Sequence, residues 1–456
     1  MASVGMHRVG PRGSAFGNAF RLSIVALALL IAGPAPASGR YEGTASCAGS
    51  TCHGRAEGDG KIVRQDELRL WQEPSSRGGA HSRAYGALSS GRANSIAGAL
   101  GLGSASSAPA CLGCHGTGPG PRGTRFQASD GVGCEACHGP ASGWIASHYA
   151  RGASHAGNVA GGMIALDDPA TRASVCLDCH LGSAKPGMFV THSMMAAGHP
   201  RLSFELDLFS ALQQHWDEDA DYARRKRRSD SVRMWAVGQA EAVRRSLGLF
   251  RQGNLATEGI FPEFTFYDCH SCHRGIDDNP ARRRGFEVNP ARPIPFGQPP
   301  YNDENIIMLS AVAQVLAPAQ AARFETAARN FHAAMGKGRT DAVAAAGRLD
   351  IAAGALGAAM AQGGDGDGAF RVIAAIGGRT ITPRFTDYAG SAQAVMTVDT
   401  LLNALVREKR ITVGTAAGIR SHINRAYSAV SSPTSYSPAT FRAALGEAVR
   451  SIGALR

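Results

Sequence analysis

Gly133-Cys134-Glu135-Ala136-Cys137-His138-Gly139-Pro140 sets two thiols three positions apart with an imidazole directly behind the second. Cys111-Leu-Gly-Cys114-His115, Cys176-Leu-Asp-Cys179-His180 and Cys269-His-Ser-Cys272-His273 repeat the pattern. With 10 Cys and 15 His among 456 residues, random placement would give roughly 0.007 such motifs. Four are present, so chance does not account for them. Two thiols at this spacing can add to the two vinyl groups of one haem, and the following histidine is placed to bind the iron from one face. Zinc also takes Cys and His ligands. Four copies with the histidine always adjacent speak against zinc.

A fifth pair is wider. Cys47-Ala-Gly-Ser-Thr-Cys52-His53 has four residues between its thiols. Three readings remain open there: a haem attached across a bulged loop, a local disulfide with an incidental histidine, or attachment through Cys52 alone. The covalent haem residues are therefore Cys47, Cys52, Cys111, Cys114, Cys134, Cys137, Cys176, Cys179, Cys269 and Cys272, with His53, His115, His138, His180 and His273 as proximal ligands. The cofactor expected is haem c, about five per chain, with the first site open to question.

A haem with one protein ligand has an open coordination position and can do chemistry, whereas one with two is a low-spin electron carrier. The remaining histidines decide between these. His81, His148, His155, His192, His199 and His215 fall between the attachment motifs and are the candidates for the opposite face. His270 lies inside its own motif and is expected to face away from the iron beside it. His332 and His422 follow the last cysteine by many residues, and surface or capping roles suit all three. Trp71, Trp144 and Trp216 sit near candidate ligands, where an indole packs against a porphyrin edge as readily as in an ordinary core.

Several stretches resemble the multihaem cytochromes c related to the tetrahaem electron carrier and the hydroxylamine oxidoreductase of nitrifying bacteria. They are Ala80-His81-Ser82-Arg83-Ala84-Tyr85, the Gly133 to Pro140 stretch, Ala197-Gly198-His199-Pro200-Arg201-Leu202, and Tyr267-Asp268-Cys269-His270-Ser271-Cys272-His273. The resemblance implies distal ligation by His81, His148, His192, His199 and His215, one for each iron, with His155 in reserve. The wide first motif departs from the pattern. Neither the lysine-bearing attachment motif of pentahaem nitrite reductases nor a counterpart of the crosslinking tyrosine of hydroxylamine oxidoreductase is visible.

Before the first motif, Arg8, Arg12 and Arg21 precede an apolar run from Leu22 to Ala32, and Ala35-Pro36-Ala37 supplies small residues for cleavage. This reads as a signal peptide over 1–37; a spanning anchor would need about 20 apolar residues. The mature chain is expected to be periplasmic and to lack a transmembrane segment. The formal charge of +11 does not indicate a nucleic-acid partner. Three of those charges leave with the leader, and five haems would bring about ten propionate charges.

The fold expected is mainly α: a haem-organised multihaem cytochrome c domain of short helices and long loops over 38–288, then an all-α helical domain. Val232, Trp235, Gln239, Val243 and Leu247 trace one face of a helix from about Asp230 to Phe250, with Asp230 as cap. The acidic Asp217 to Asp221 and basic Arg224 to Arg228 read as a solvated helix start or loop rather than a docking patch. Prolines at 290, 293, 295, 299 and 300 make 289–301 a stiff linker. From 302 to 456 there is no cysteine. Phe324, Ala327, Phe331 and Met335, and likewise Val395, Val398, Leu402 and Leu405, fall at helical spacing and predict an alanine-rich bundle. Gly363 to Gly368 has too few carboxylates for a calcium loop.

These features predict electron transfer through mostly bis-histidine haems, with redox proteins or quinol-linked donors and acceptors as partners. The competing expectation is a multihaem oxidoreductase acting on a small nitrogen or sulfur compound at one five-coordinate haem. A third is a binding module that keeps haem only as a folding staple.

Overall fold

The computed structural model describes Met1 and residues 39–58, 64–255, 262–274, 289–295, 297–362 and 367–456. The expected signal peptide and Gly363 to Gly366 lie outside these residues. Among the described residues the chain is helical, with two isolated β-bridges and no strand.

In the cysteine-bearing half the helices are short, and the regular attachment motifs close them. Pro109–His115, Cys134–His138 and Pro169–His180 each end on the motif histidine, and Cys269–Cys272 ends one residue before it. Positions i and i+3 share a helix face, so one turn presents both thiols on the same side. Sequence marks the starts: proline opens two of these helices, Asp168 accepts from the Thr171 amide and Asp268 from the Ser271 amide. Gly139 ends another at φ 83°, a backbone that side-chain-bearing residues avoid. The wide motif is instead a turn, closed by hydrogen bonds from the Cys52 amide to Gly49 (2.8 Å) and the His53 amide to Cys47 (3.2 Å).

Apolar packing within this half is thin. One small cluster gathers Leu88, Ala97 and Ala105, and another Ala173, Leu177, Phe204, Leu206, Met234 and Ala242. Side chains alone give this half little core, as expected for a fold organised by cofactors.

The large core lies further on. We label its helices α1 Ser231–Arg251, α2 Glu304–Leu316, α3 Pro318–Met335, α4 Arg339–Met360, α5 Gly368–Thr380, α6 Tyr388–Arg407, α7 Val413–Ala429 and α8 Pro438–Gly453. Asp230 caps α1 by accepting from the Arg233 amide at 2.7 Å, and the predicted face from Val232 to Leu247 is buried. That face packs chiefly on α4, where a Cβ on Gly357 would stand 2.7 Å from the Ala240 methyl. Trp235 donates to Thr397 of α6 at 3.0 Å, and Phe250 meets Phe266, Tyr301 and Phe331 edge to face at 5.6–5.7 Å. One hydrophobic core thus extends across the proline-rich stretch, with α1 part of it.

Helix α2 is apolar around most of its circumference and runs through the interior, from Ile306 to Val312. Helix α4, 22 residues, is long and apolar enough by length and composition to cross a membrane. In the fold it buries Ala342, Ala345, Ala346, Leu349, Ala353 and Leu356 against α1 and α3.

Phe331, fully buried at the centre of this aromatic group, sets a stability test. Phe331→Ala is expected to cost about 3–5 kcal/mol, read as a lower urea midpoint for loss of far-ultraviolet helix signal.

Candidate functional site

Four pairs of imidazoles face one another in the cysteine-bearing half. His53 and His148 have ring centroids 6.0 Å apart, His81 and His180 6.1 Å, His138 and His215 6.2 Å, and His192 and His273 6.0 Å. Each pair joins one histidine that trails an attachment motif to one that does not. Two imidazoles bound to a single metal from opposite sides have centroids about 6 Å apart. His199 lies near enough to His115 for that ring, after burial, to disfavour protonation of His199. For His115 and His199 this electrostatic proximity stands in place of a ring contact.

Hydrogen bonds turn the rings. His115 donates from Nδ1 to the Ala84 carbonyl (2.9 Å), His199 to the Pro200 carbonyl (2.8 Å) and His215 to the Gln213 carbonyl (2.7 Å). A carbonyl only accepts, so the proton sits on Nδ1 and the Nε2 lone pair is free for a metal. His81 Nδ1 meets the Gln213 side-chain oxygen at 3.1 Å, and His53 Nδ1 meets Glu67 Oε2 at 3.0 Å. Gln213 therefore orients ligands of two different pairs.

Burial favours the neutral imidazole that a metal requires. It pushes His138 and His180 down to about 4 and holds His81, His148 and His199 below the usual histidine value. His53 moves the other way, because the hydrogen bond to Glu67 favours its charged form. Burial raises that carboxyl, yet the bonds from His53 and the backbone hold it below its usual range. Aromatic rings flank the pairs: Trp144 stands edge-on to His148 at 5.5 Å, Trp216 to His215 at 5.4 Å, and Phe204 and Phe209 cover His180 at 5.4 and 4.9 Å. Trp71 instead donates to the Val132 carbonyl, beside the backbone of His81.

The ten cysteines are free thiols. Burial pushes Cys137 up to about 12 and Cys176 to about 11. Thiols of different motifs adjoin. Cys47 lies beside Cys134, and Cys114 beside Cys179, and that contact together with burial raises Cys47 and Cys114 far above the ordinary thiol range. Among the described residues, no trio of His, Cys, Asp and Glu gathers as a metal cluster. The residues fit covalent haem: paired thiols, a trailing imidazole and an imidazole opposite. Trp144 Nε1 and Arg172 Nη1 are buried without a protein acceptor beside these pairs, where a propionate would supply one.

The fifth motif opens on a cavity of about 620 Å³. Its walls include His192, Cys272 and His273 from the first half, and Glu304, Tyr388 and Pro433 from the helical half. Arg201 bridges to Glu304 at 2.5 Å, and Asp268 accepts from the Ala389 amide of α6 at 3.4 Å. The helical half therefore completes this cavity, which nothing in its sequence announced.

The remaining histidines stand apart. His155 is exposed and its Nε2 contacts Asp167 at 3.1 Å, so the reserve ligand is occupied elsewhere. His270 turns away from its motif, as expected, but is buried: Nδ1 donates to the Pro433 carbonyl at 2.6 Å. His332 is also buried, 3.1 Å from Asp303, which sits by Arg292. His422 pairs with Glu447. The surface role suits only the last.

An arrangement of paired thiols and facing imidazoles is that of a c-type cytochrome. Residues 46–139, about a fifth of the chain, match the family model described as cytochrome c554 and c-prime. The matched stretch holds the first three attachment motifs and His81. It supports a relation to the multihaem cytochromes c, with covalently bound haem and a part in electron transfer. No curated protein and no solved structure matches the chain.

Proposed function

We propose that this chain is an exported electron carrier that holds five haem c groups, each between two histidines. The observation that carries the reading is the pairing of imidazoles at 6.0–6.2 Å. His53 pairs with His148, His180 with His81, His115 with His199, His138 with His215 and His273 with His192. The five cysteine pairs hold the porphyrins by thioether links, and the wide first pair serves like the others.

When bound, haem supplies reversible one-electron exchange between ferric and ferrous iron. The protein's part is positional. The paired imidazoles would hold the iron as its two protein ligands, so the ligand set would stay the same in either oxidation state. Trp144, Phe204, Phe209 and Trp216 keep water from the paired rings. The adjoining thiols of Cys47 and Cys134, and of Cys114 and Cys179, bring neighbouring sites close together. No general base or nucleophile is required. The leader over 1–37 directs export to the periplasm, and the partners are redox proteins or quinol-linked donors and acceptors.

Mass spectrometry of the matured protein tests the count: the expected mass is that of the chain without its leader plus five haems. Electron paramagnetic resonance of the ferric protein is expected to show low-spin iron only, unchanged by nitrite or hydroxylamine. A colourless protein, or a high-spin signal shifting with either compound, would overturn the carrier. His148→Ala removes one facing ring and is expected to turn about one fifth of the iron high-spin.

A further inference from the structure

The paired imidazoles differ in what their Nδ1 protons meet. His81 donates to an amide oxygen, and His115, His199 and His215 to backbone carbonyls, all neutral acceptors. His53 donates to the carboxylate of Glu67 at 3.0 Å. That contact is built into the chain. Glu67 opens the helix Glu67–Gln72, its side chain is only 16% exposed, and its Oε1 accepts from the Gln65 amide at 3.1 Å. Gln65 stands at φ 64°, a left-handed backbone that costs a non-glycine residue energy. The Leu68 amide, in turn, donates to the His53 carbonyl at 3.0 Å. The turn after the first motif is thus locked back onto the histidine it must orient.

An anionic acceptor draws the Nδ1 proton toward itself and leaves Nε2 richer in electron density. A more basic ligand stabilises the higher-charged metal. We propose that Glu67 is a positioning and tuning residue that gives the site of His53 and His148 a lower reduction potential than the sites held by His81, His115 and His215. The inference rests on the proposed haem ligation. The first site then takes up its electron after those three and gives it up more readily than they do.

Glu67→Gln keeps the hydrogen bond and removes the charge. In a spectroelectrochemical titration of the holoprotein, one low-potential component is expected to shift upward while the others stay in place. Glu67→Asp, which restores a carboxylate, should bring it part of the way back. The reciprocal change, Gln213→Glu, puts a carboxylate on His81 and is expected to shift a different component downward. Five haems by mass in the variants with unmoved components would overturn this inference and leave the carrier standing. If Glu67→Gln fails to retain its haem, the Gln213→Glu titration decides: a downward shift supports the mechanism, and none overturns it. A native protein lacking haem at the first motif would overturn the reading of that site together with the tuning role.

Discussion

A metal held between two imidazoles fixes the distance between them and the direction in which each ring must point. The attachment motif delivers one ring locally; the other must come from a distant part of the chain and be held with its free ring nitrogen turned toward the metal. That requirement shapes the first half more than its own apolar contacts do. Among the described residues its own apolar clusters are two small ones, while His53 lies by His148 and His192 by His273. Short helices and long connections follow, because each segment has only to carry a ring or a thiol pair to its place.

The proposed attachment motifs could be picked out in the sequence because their spacing is local. Thiols at i and i+3 with a histidine next to the second describe one helical turn and nothing beyond it. The choice of His81, His148, His192, His199 and His215 as partners came from resemblance, and their pairing could not be read at all. It depends on which segments meet in space, and no spacing rule joins His138 to His215. Glu67 and Gln213 were invisible for the same reason, since an acceptor for Nδ1 can come from any polar side chain or carbonyl.

The helical half was legible as helices but not as a neighbour. The face of α1 was traced correctly from Val232 to Leu247, yet periodicity shows only that a face is apolar, not what will cover it. Here α4 and α6 cover it, and the core they form extends past the proline-rich stretch. Polar contacts join the halves as well: Arg407 of α6 reaches Asp207 and Ser231, and His270 reaches the Pro433 carbonyl. His270 and His332 show the limit of composition, because one histidine inside a motif and one far from any were both assigned surface or capping roles and are buried against partners from elsewhere in the chain, the Pro433 carbonyl and Asp303.

The cavity beside Cys269 and Cys272 has walls from both halves of the polypeptide, from His180 to Tyr388 and Pro433. Thioether chemistry needs the porphyrin to enter with its edge exposed to the two thiols. With haem at the fifth motif, as proposed, an order of assembly would follow: the cofactor would be in hand before the final helices settle over it. On the proposed ligation, docking of the carboxy-terminal bundle would be the closing step of maturation, because part of this cavity's wall is made long after its cysteines leave the ribosome.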